Sequence, residues 1–467
     1  MKVPKTAVFV DTALWGENSI GPPSRIGREE VGAQLVAACC EKFSGWDVRF
    51  LRPNTGAETI SQLVSAVPAD ALILFPYTYT KWLADKIARR FKGKIPIIYG
   101  GYHAGIGDMP AKILVEGLAD FVIAGRGDTS LPQLLRDLAD GKAPQARTIR
   151  HHDDYPKDGK YPLDRLPWPM RDENLLQDIN REPLPFKPPA TLEPNPQRCV
   201  IITGSLGCNA RCDFCPSWMI SATALHRSPK NIVDEMQSLQ NRFGPGIVYM
   251  FADPLFNSDR DWMLALCKEM ENRGPFPSIC MPDFRLDREM VRAMKRAGVY
   301  FAMMGLEFTS NDVRKDRGKR AADPAIAFTL CSEEGIITRA FVMLGQLGTT
   351  REGLRQEIEA LEALPFRADH LRINFEVPFP GTRVAQRISP DDIVTKDQAL
   401  WTIEEPVYRT AIPHSELTEA RLQLMRDYHF SPRQQEHYAR QCARFPELGP
   451  VYEDFLTHHL GWYKEIR

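Results

Sequence analysis

The sequence predicts an α/β chain built on two parallel sheets. A doubly wound sheet occupies 1–150 and a partial barrel of six β/α units occupies 195–395. Three observations predict this. Short apolar runs alternate with segments of helical period through both regions. The two regions are separated by a linker at 151–194, and the stretch 151–199 carries 10 of the 37 prolines, which lack the N–H that a helix interior or central strand needs. The tail, 396–467, has no repeat of either pattern and reads as a helical cap closing the barrel mouth.

In the first region TAVFVD (6–11) is an apolar run ending in an acid. GREEVGAQLVAACCEKF (27–43) has helical spacing, and WDVRFL (46–51) alternates as a strand does. ALILF (71–75), IPIIYGG (95–101) and ADFVIAG (119–125) read as strands, with helices at TKWLADKIARRF (80–91) and near 109–117. Open parallel sheets bind ligands at the C-terminal strand edge. That edge offers Asp11, PYTYT (76–80), GGYHAG (100–105) and GRGDTS (125–130).

In the second region strand candidates recur at 200–204, 247–252, 278–282, 299–305, 338–344 and 370–377. Ser228 and Pro229 read as an N-cap and first helical residue ahead of Ile232, Val233, Met236 and Leu239. Thr349 and Glu352 have capping-box spacing before Leu354, Ile358 and Leu361. Functional residues of such barrels sit at the C-terminal strand ends.

Composition excludes several classes. Net charge is −1, so nothing calls for nucleic acid or an anionic membrane as partner. No run of 18 apolar residues marks a membrane span. The start, MKVPKTAVFVDTALW, reads as a strand and not as a signal peptide. Ten cysteines, seven of them scattered, do not form a disulfide framework, and a reducing cytoplasm fits them.

The other three stand in GCNARCDFC (207–215), as Cys208, Cys212 and Cys215. Their C-x-x-x-C-x-x-C spacing follows the first barrel strand directly. Thiolates suit zinc, copper(I) or iron–sulfur clusters. A structural zinc site wants four closed ligands, and Cys199 or His226 would have to complete it. A [4Fe–4S] cluster normally takes four cysteines. Three leave one iron open to a substrate or cofactor.

That motif, with the aromatic Phe214 before its last cysteine, resembles the radical S-adenosylmethionine (SAM) superfamily over roughly 195–390. The resemblance implies that the open iron chelates SAM, and that an external donor such as flavodoxin or ferredoxin supplies the electron that cleaves it to a 5′-deoxyadenosyl radical. Later segments match in order. MFADPLFN (250–257) places Asp253 near the SAM amino group, and MPDFRLD (281–287) carries Arg285, which with Arg339 is a candidate for the SAM carboxylate. MMGLEFTS (303–310) sets Glu307 near the ribose or amino group, AFVMLGQLGTT (340–350) sets Gly345 along the adenine, and PFPGTR (378–383) follows the sixth strand. Phe214 then packs on the adenine side. Structural alternatives stand beside these roles: Asp253 as a loop cap, and Glu307 paired with Arg285 or Arg339.

The first region resembles the Rossmann-like cobalamin-binding domain that precedes the barrel in one radical SAM subclass. GPPSRIG (21–27), GGYHAG, ADFVIAGRGDTSLPQLL (119–135) and LDRLPWP (163–169) carry the match. There is no D-x-H-x-x-G, so no histidine is offered as lower cobalt ligand, and GRGD stands where the subclass often has an acidic motif. The resemblance implies that Gly100, Gly101 and Gly105 approach the cobalamin nucleotide tail, that Tyr77, Thr78 and Tyr79 face the lower side of the corrin, and that His103 is a loop hydrogen bonder before it is a metal ligand. An inherited scaffold without cofactor is the alternative. The expected function is C-methylation at an unactivated carbon of a small molecule. The competing expectations are radical rearrangement, dehydration or ring alteration without methyl transfer, and an iron–sulfur or corrinoid binding protein. The lone Cys442 in the tail offers no second cluster, and the five histidines there lack metal-ligand spacing.

Overall fold

The computed structural model describes residues 4–10, 12, 30–51, 57–150, 161–173, 176–179, 184–319 and 322–460. Asp11 and GPPSRIG lie outside those residues, as does the expected helix start at 27–29.

Strands β1 (Thr6–Val10), β2 (Asp47–Leu51), β3 (Ala71–Leu74), β4 (Ile97–Tyr99), β5 (Phe121–Ala124) and β6 (Thr148–Arg150) form one sheet in the order β2-β1-β3-β4-β5-β6. All pairs are parallel. Val8, Val10, Leu72 and Leu74 pack against Leu83, Ile87 and Ile113 on one face. Ala7, Phe9 and Ile73 pack against Val36, Cys40 and Leu134 on the other. Burial on both faces is why these strands read as continuous apolar runs. Strand β6 and the helix Ala57–Ala66 are additions to the sequence expectation.

The second sheet begins inside the linker. β7 (Gln177–Asp178) pairs antiparallel with β8 (Arg198–Ile202), and β9 (Ser205–Leu206) and β10 (Leu225–His226) form a separate small ladder. β11 (Ile247–Phe251), β12 (Ser278–Cys280), β13 (Val299–Glu307), β14 (Ile337–Leu344) and β15 (His370–Phe375) complete the order β15-β14-β13-β12-β11-β8-β7. The six expected β/α strands are present and mutually parallel. The linker is more than an extended strap. It supplies the edge strand β7, and its Phe186 is fully buried, stacked 4.1 Å from Phe455. Ser228 caps Pro229–Phe243 as expected, its Oγ accepting from the Asn231 N–H at 3.2 Å. The cap of Arg351–Glu362 is Thr350 rather than Thr349, whose hydroxyl turns to Gln346.

The C-terminal helices correct the expectation of a lid over the mouth. Helix His414–Phe430 runs along the open edge of β15, from Leu417 beside Gly345 to His429, whose Nε2 accepts from the Leu371 N–H at 3.1 Å. The helices after it close the barrel floor. Tyr438 and Tyr452 donate to Asp369 at 2.7 and 2.6 Å, and His437 approaches its carboxylate at 3.0 Å, just ahead of β15. The tail is thus divided: its later helices close the N-terminal ends of the strands, while Trp401, Val407 and Tyr408 pack with Phe214 of the cysteine loop at the C-terminal ends.

Candidate functional site

A cavity of about 360 Å³ lies between the two sheets. Tyr77, Gly100 and Gly101 line it from the first domain, and Ser205, Gly207 and Ala252 from the barrel. The C-terminal strand edges of the two sheets therefore face each other. Gly107 and Gly381 fix that juxtaposition. Both have positive φ, and a Cβ on Gly107 would stand 2.9 Å from the Gly381 Cα, so backbone meets backbone where the first domain touches the loop after the sixth barrel strand.

The cysteine loop leaves β9 at Gly207. Cys208 is buried, and Cys212 and Cys215 are half-buried. The Cys208 N–H donates to the Ser221 carbonyl at 3.0 Å. Asp213, within the motif, is the loop's anchor. It is 2% exposed and pairs with Arg317 at 2.6 Å and Arg387 at 2.9 Å, while Arg317 also pairs with Glu376. Burial pushes the Cys212 thiol up to about 12, with Lys319 pulling it down. Among the described residues no three His, Cys, Asp or Glu side chains converge as ligands of one metal ion. Cys199 is buried in the barrel core, and His226 is engaged by Ser258 at 2.9 Å. The donor set therefore does not fit a closed zinc site. Three thiols on one loop fit a cluster, in which each thiolate holds a different iron.

The remaining expected residues separate into those at the cavity or cysteine loop and those turned to structure. Asp253 is fully buried. Its carboxylate accepts from the Gly204 N–H at 3.1 Å and from the Ser205 hydroxyl, so it holds the exit of β8. Burial raises it to about 6. Arg285 folds onto Asp283 at 2.8 Å and is no partner of Glu307. Arg339 is buried on the barrel floor, its Nε donating to His370 at 2.9 Å, and burial lowers it to about 9. Glu307 pairs instead with Lys319, at 3.4 Å. Phe214 packs with Val377, Trp401 and Tyr408 beneath the Arg317 guanidinium. Gly345, at φ +71, turns the chain at the end of β14 against Leu417 and Phe375.

On the facing edge, Tyr77 stacks between Tyr79 (5.5 Å) and Tyr102 (6.3 Å) and hydrogen-bonds Glu30 at 3.2 Å. His103 is buried, with Nδ1 against the Thr78 hydroxyl at 3.1 Å, and burial lowers it to about 4. It is a loop hydrogen bonder and does not line the cavity. Arg126 and Asp128, the departure in GRGD, are buried as an ion pair of 2.7 Å. Sequence reading missed Tyr102 and Lys319. Tyr102 lines the cavity, and its phenol bonds Ser217 beside the cysteine loop. Its place inside the quoted GGYHAG was the available signal. Lys319 lies in a run of charges that nothing distinguishes from a solvated surface.

Residues 202–361, from the end of β8 through most of the helix after β14, match the family model of the radical SAM superfamily. The chain carries a radical SAM domain. Such a domain implies a [4Fe–4S] cluster and SAM. An anaerobic magnesium-protoporphyrin IX monomethyl ester cyclase of Cereibacter sphaeroides is 25% identical over 49% of this chain and 38% of its own length. The chain thus spans well under half of that relative. Hopanoid C-3 methylase of Methylococcus capsulatus is 23% identical over 82% of this chain and 73% of its own. Among solved structures, the radical SAM methyltransferase TsrM of Kitasatospora setae, with cobalamin and a [4Fe–4S] cluster bound, superposes with a TM-score of 0.61. It covers 83% of this chain and 75% of its own at 17% identity, which shows a shared fold. No helix among the described residues is long and apolar enough to cross a membrane.

Proposed function

We propose that this radical SAM enzyme is cobalamin-dependent and methylates an unactivated carbon of a small molecule. One observation carries the reading: a cavity is walled by the glycine- and tyrosine-bearing edge of the first sheet and by the barrel edge on either side of the cysteine motif, at Gly207 and Ser217. Reacting groups held by two domains must come within contact distance, and this arrangement aims both edges at one space. When bound, the cluster and SAM supply an organic radical and cobalamin supplies the methyl group. Cys208, Cys212 and Cys215 hold the cluster. Glu307 and the backbone at Gly345 orient SAM, with Phe214 packing under the cysteine loop and Asp253 fixing the exit of β8. Arg285 is left to the Asp283 pair. Gly100 and Gly101 present bare backbone, and Tyr77 and Tyr102 present aromatic side chains, to a large planar ligand, while Tyr79 stacks behind Tyr77 and does not line the cavity. His103 bonds the Thr78 hydroxyl and does not line the cavity. An external one-electron protein donor completes the system.

The cyclase relative favours a second reading, ring alteration without net methyl transfer. One experiment separates them. Anaerobically reconstituted full-length protein is assayed for cobalt and its visible spectrum, then for product mass with candidate small molecules. Bound cobalt and a gain of one methyl group support methylation. Bound cobalt with hydrogen loss and no added methyl supports the cyclase type. Protein that forms no 5′-deoxyadenosine at all overturns both.

A further inference from the structure

Lys319 has no part in the reading above, yet its surroundings are built with unusual constraint. Gly318 has φ +79, and a Cβ there would lie 2.2 Å from the Arg211 carbonyl. Only glycine lets this segment close on the cysteine loop, and its own carbonyl sits 3.9 Å from Cys212 Sγ. The next residue is therefore delivered against the loop by backbone contact.

Lys319 Nζ then meets Glu307 Oε1 at 3.4 Å, with the two side chains 19% and 12% exposed. Glu307 has φ +61, the one positive φ on a non-glycine residue among those described. Left-handed backbone costs an L-residue about 1–2 kcal/mol. Beneath the pair, a Cβ on Gly305 would lie 2.3 Å from the Glu307 carboxylate and 2.7 Å from the Lys319 ammonium. One glycine-only approach at Gly318, the bare space over Gly305 and one strained carboxylate thus converge on a single ion pair. Such pairs contribute little net stability when desolvated, so stability does not account for the construction. The Glu307 carboxylate beside it favours the charged ammonium.

We infer that Lys319 is a positioning residue for charge: it holds a cation beside the cysteine-bound cluster and sets how readily that cluster accepts an electron, with Glu307 as the opposing charge. The inference rests on the cluster assignment made above. In the step concerned, one electron passes from a low-potential one-electron protein donor to the cluster, taking it from the 2+ to the 1+ state. No bond breaks and no proton moves. The reduced cluster carries one more negative charge, so a neighbouring cation favours it and a neighbouring carboxylate opposes it.

The test is a redox titration of reconstituted full-length protein without SAM, read by electron paramagnetic resonance of the reduced cluster, with iron content measured alongside. Lys319→Met is expected to lower the equilibrium constant for reduction about tenfold, ~59 mV for a one-electron couple. Glu307→Gln is expected to shift it the opposite way, Lys319→Arg to leave it near wild type, and Lys319→Met with Glu307→Gln to return it toward wild type. A merely structural pair would not give opposite signs that cancel. Lys319→Met with full iron and an unchanged potential overturns the inference. Should Lys319→Met fail to hold iron, Glu307→Gln decides, and an unshifted potential there overturns it. Wild-type protein that takes up no iron overturns the cluster assignment itself, a distinct failure.

Discussion

The two domains present the same topological feature, the C-terminal edge of a parallel sheet, to one cavity, but furnish it in opposite ways. The first sheet offers backbone and aromatic side chains: Gly100, Gly101, Tyr77 and Tyr102, with Tyr79 stacked behind Tyr77. Its charges there are paired within the same edge, as with Arg126 and Asp128. The barrel edge carries its thiols on the loop between the cavity-lining Gly207 and Ser217, and its charges reach across elements: Asp213 in the cysteine loop to Arg317 and Arg387, Glu307 to Lys319. One edge is shaped to lie along a large ligand, the other to hold small reactive groups in fixed places.

The largest expected effect breaks that contrast outright. Replacing Cys208, Cys212 and Cys215 with alanine removes the barrel's donor set and should abolish iron binding and SAM cleavage, read as iron content and 5′-deoxyadenosine. A triple variant that still makes 5′-deoxyadenosine would sink the assignment. Next comes the loop's anchor. Asp213→Asn leaves Arg317 with Glu376 alone and releases the half-exposed Arg387, so the cost falls below the ~3–5 kcal/mol of breaking a fully buried pair. The expected readout is reduced iron retention with the first domain still folded, followed by iron analysis and circular dichroism.

A pH series sharpens the comparison further. Burial holds His429 at about 4 in the folded state, and its Nε2 must stay unprotonated to accept from Leu371. The unfolded chain takes up that proton near the ordinary value, so stability falls as pH drops from about 6.5 to 4, by ~3 kcal/mol for this group. His459 on the same floor is also lowered by burial to about 4, whereas the first domain contributes His103 alone among the shifted histidines of its described residues. Hydrogen exchange across pH 7 to 4.5 should show the barrel floor opening before the first sheet, and His429→Gln should flatten the slope. Equal opening of both domains would remove the distinction. The smallest effect concerns their junction. Gly107→Ala forces a left-handed alanine against Gly381, at about 1–2 kcal/mol. Cobalt retention should fall while iron content holds. Unchanged retention would show that the junction does not shape the cavity.

The strands were legible because both sheets bury continuous apolar runs, and β8, β11, β12, β13, β14 and β15 all form where the pattern puts them. The cysteine loop was legible because metal chemistry demands particular atoms at a particular spacing. Ion-pair partners were not. The choice of Lys319 over Arg285 or Arg339 for Glu307 depends on a left-handed turn at Gly318 and on which way β13 ends, neither of which leaves a periodic trace. The position of the tail was also illegible: an amphipathic helix reads the same whether it covers a barrel's mouth or its floor, and contacts such as those of Tyr438, Tyr452 and His437 with Asp369 distinguish them.

The contact between Gly107 and Gly381 has a kinetic consequence. Where two Cα atoms meet, there is no rotamer to swing aside, so the contact cannot yield by degrees. Separation of the two domains at that point is therefore an all-or-none event, and a ligand that touches both walls meets a junction that is either closed or open.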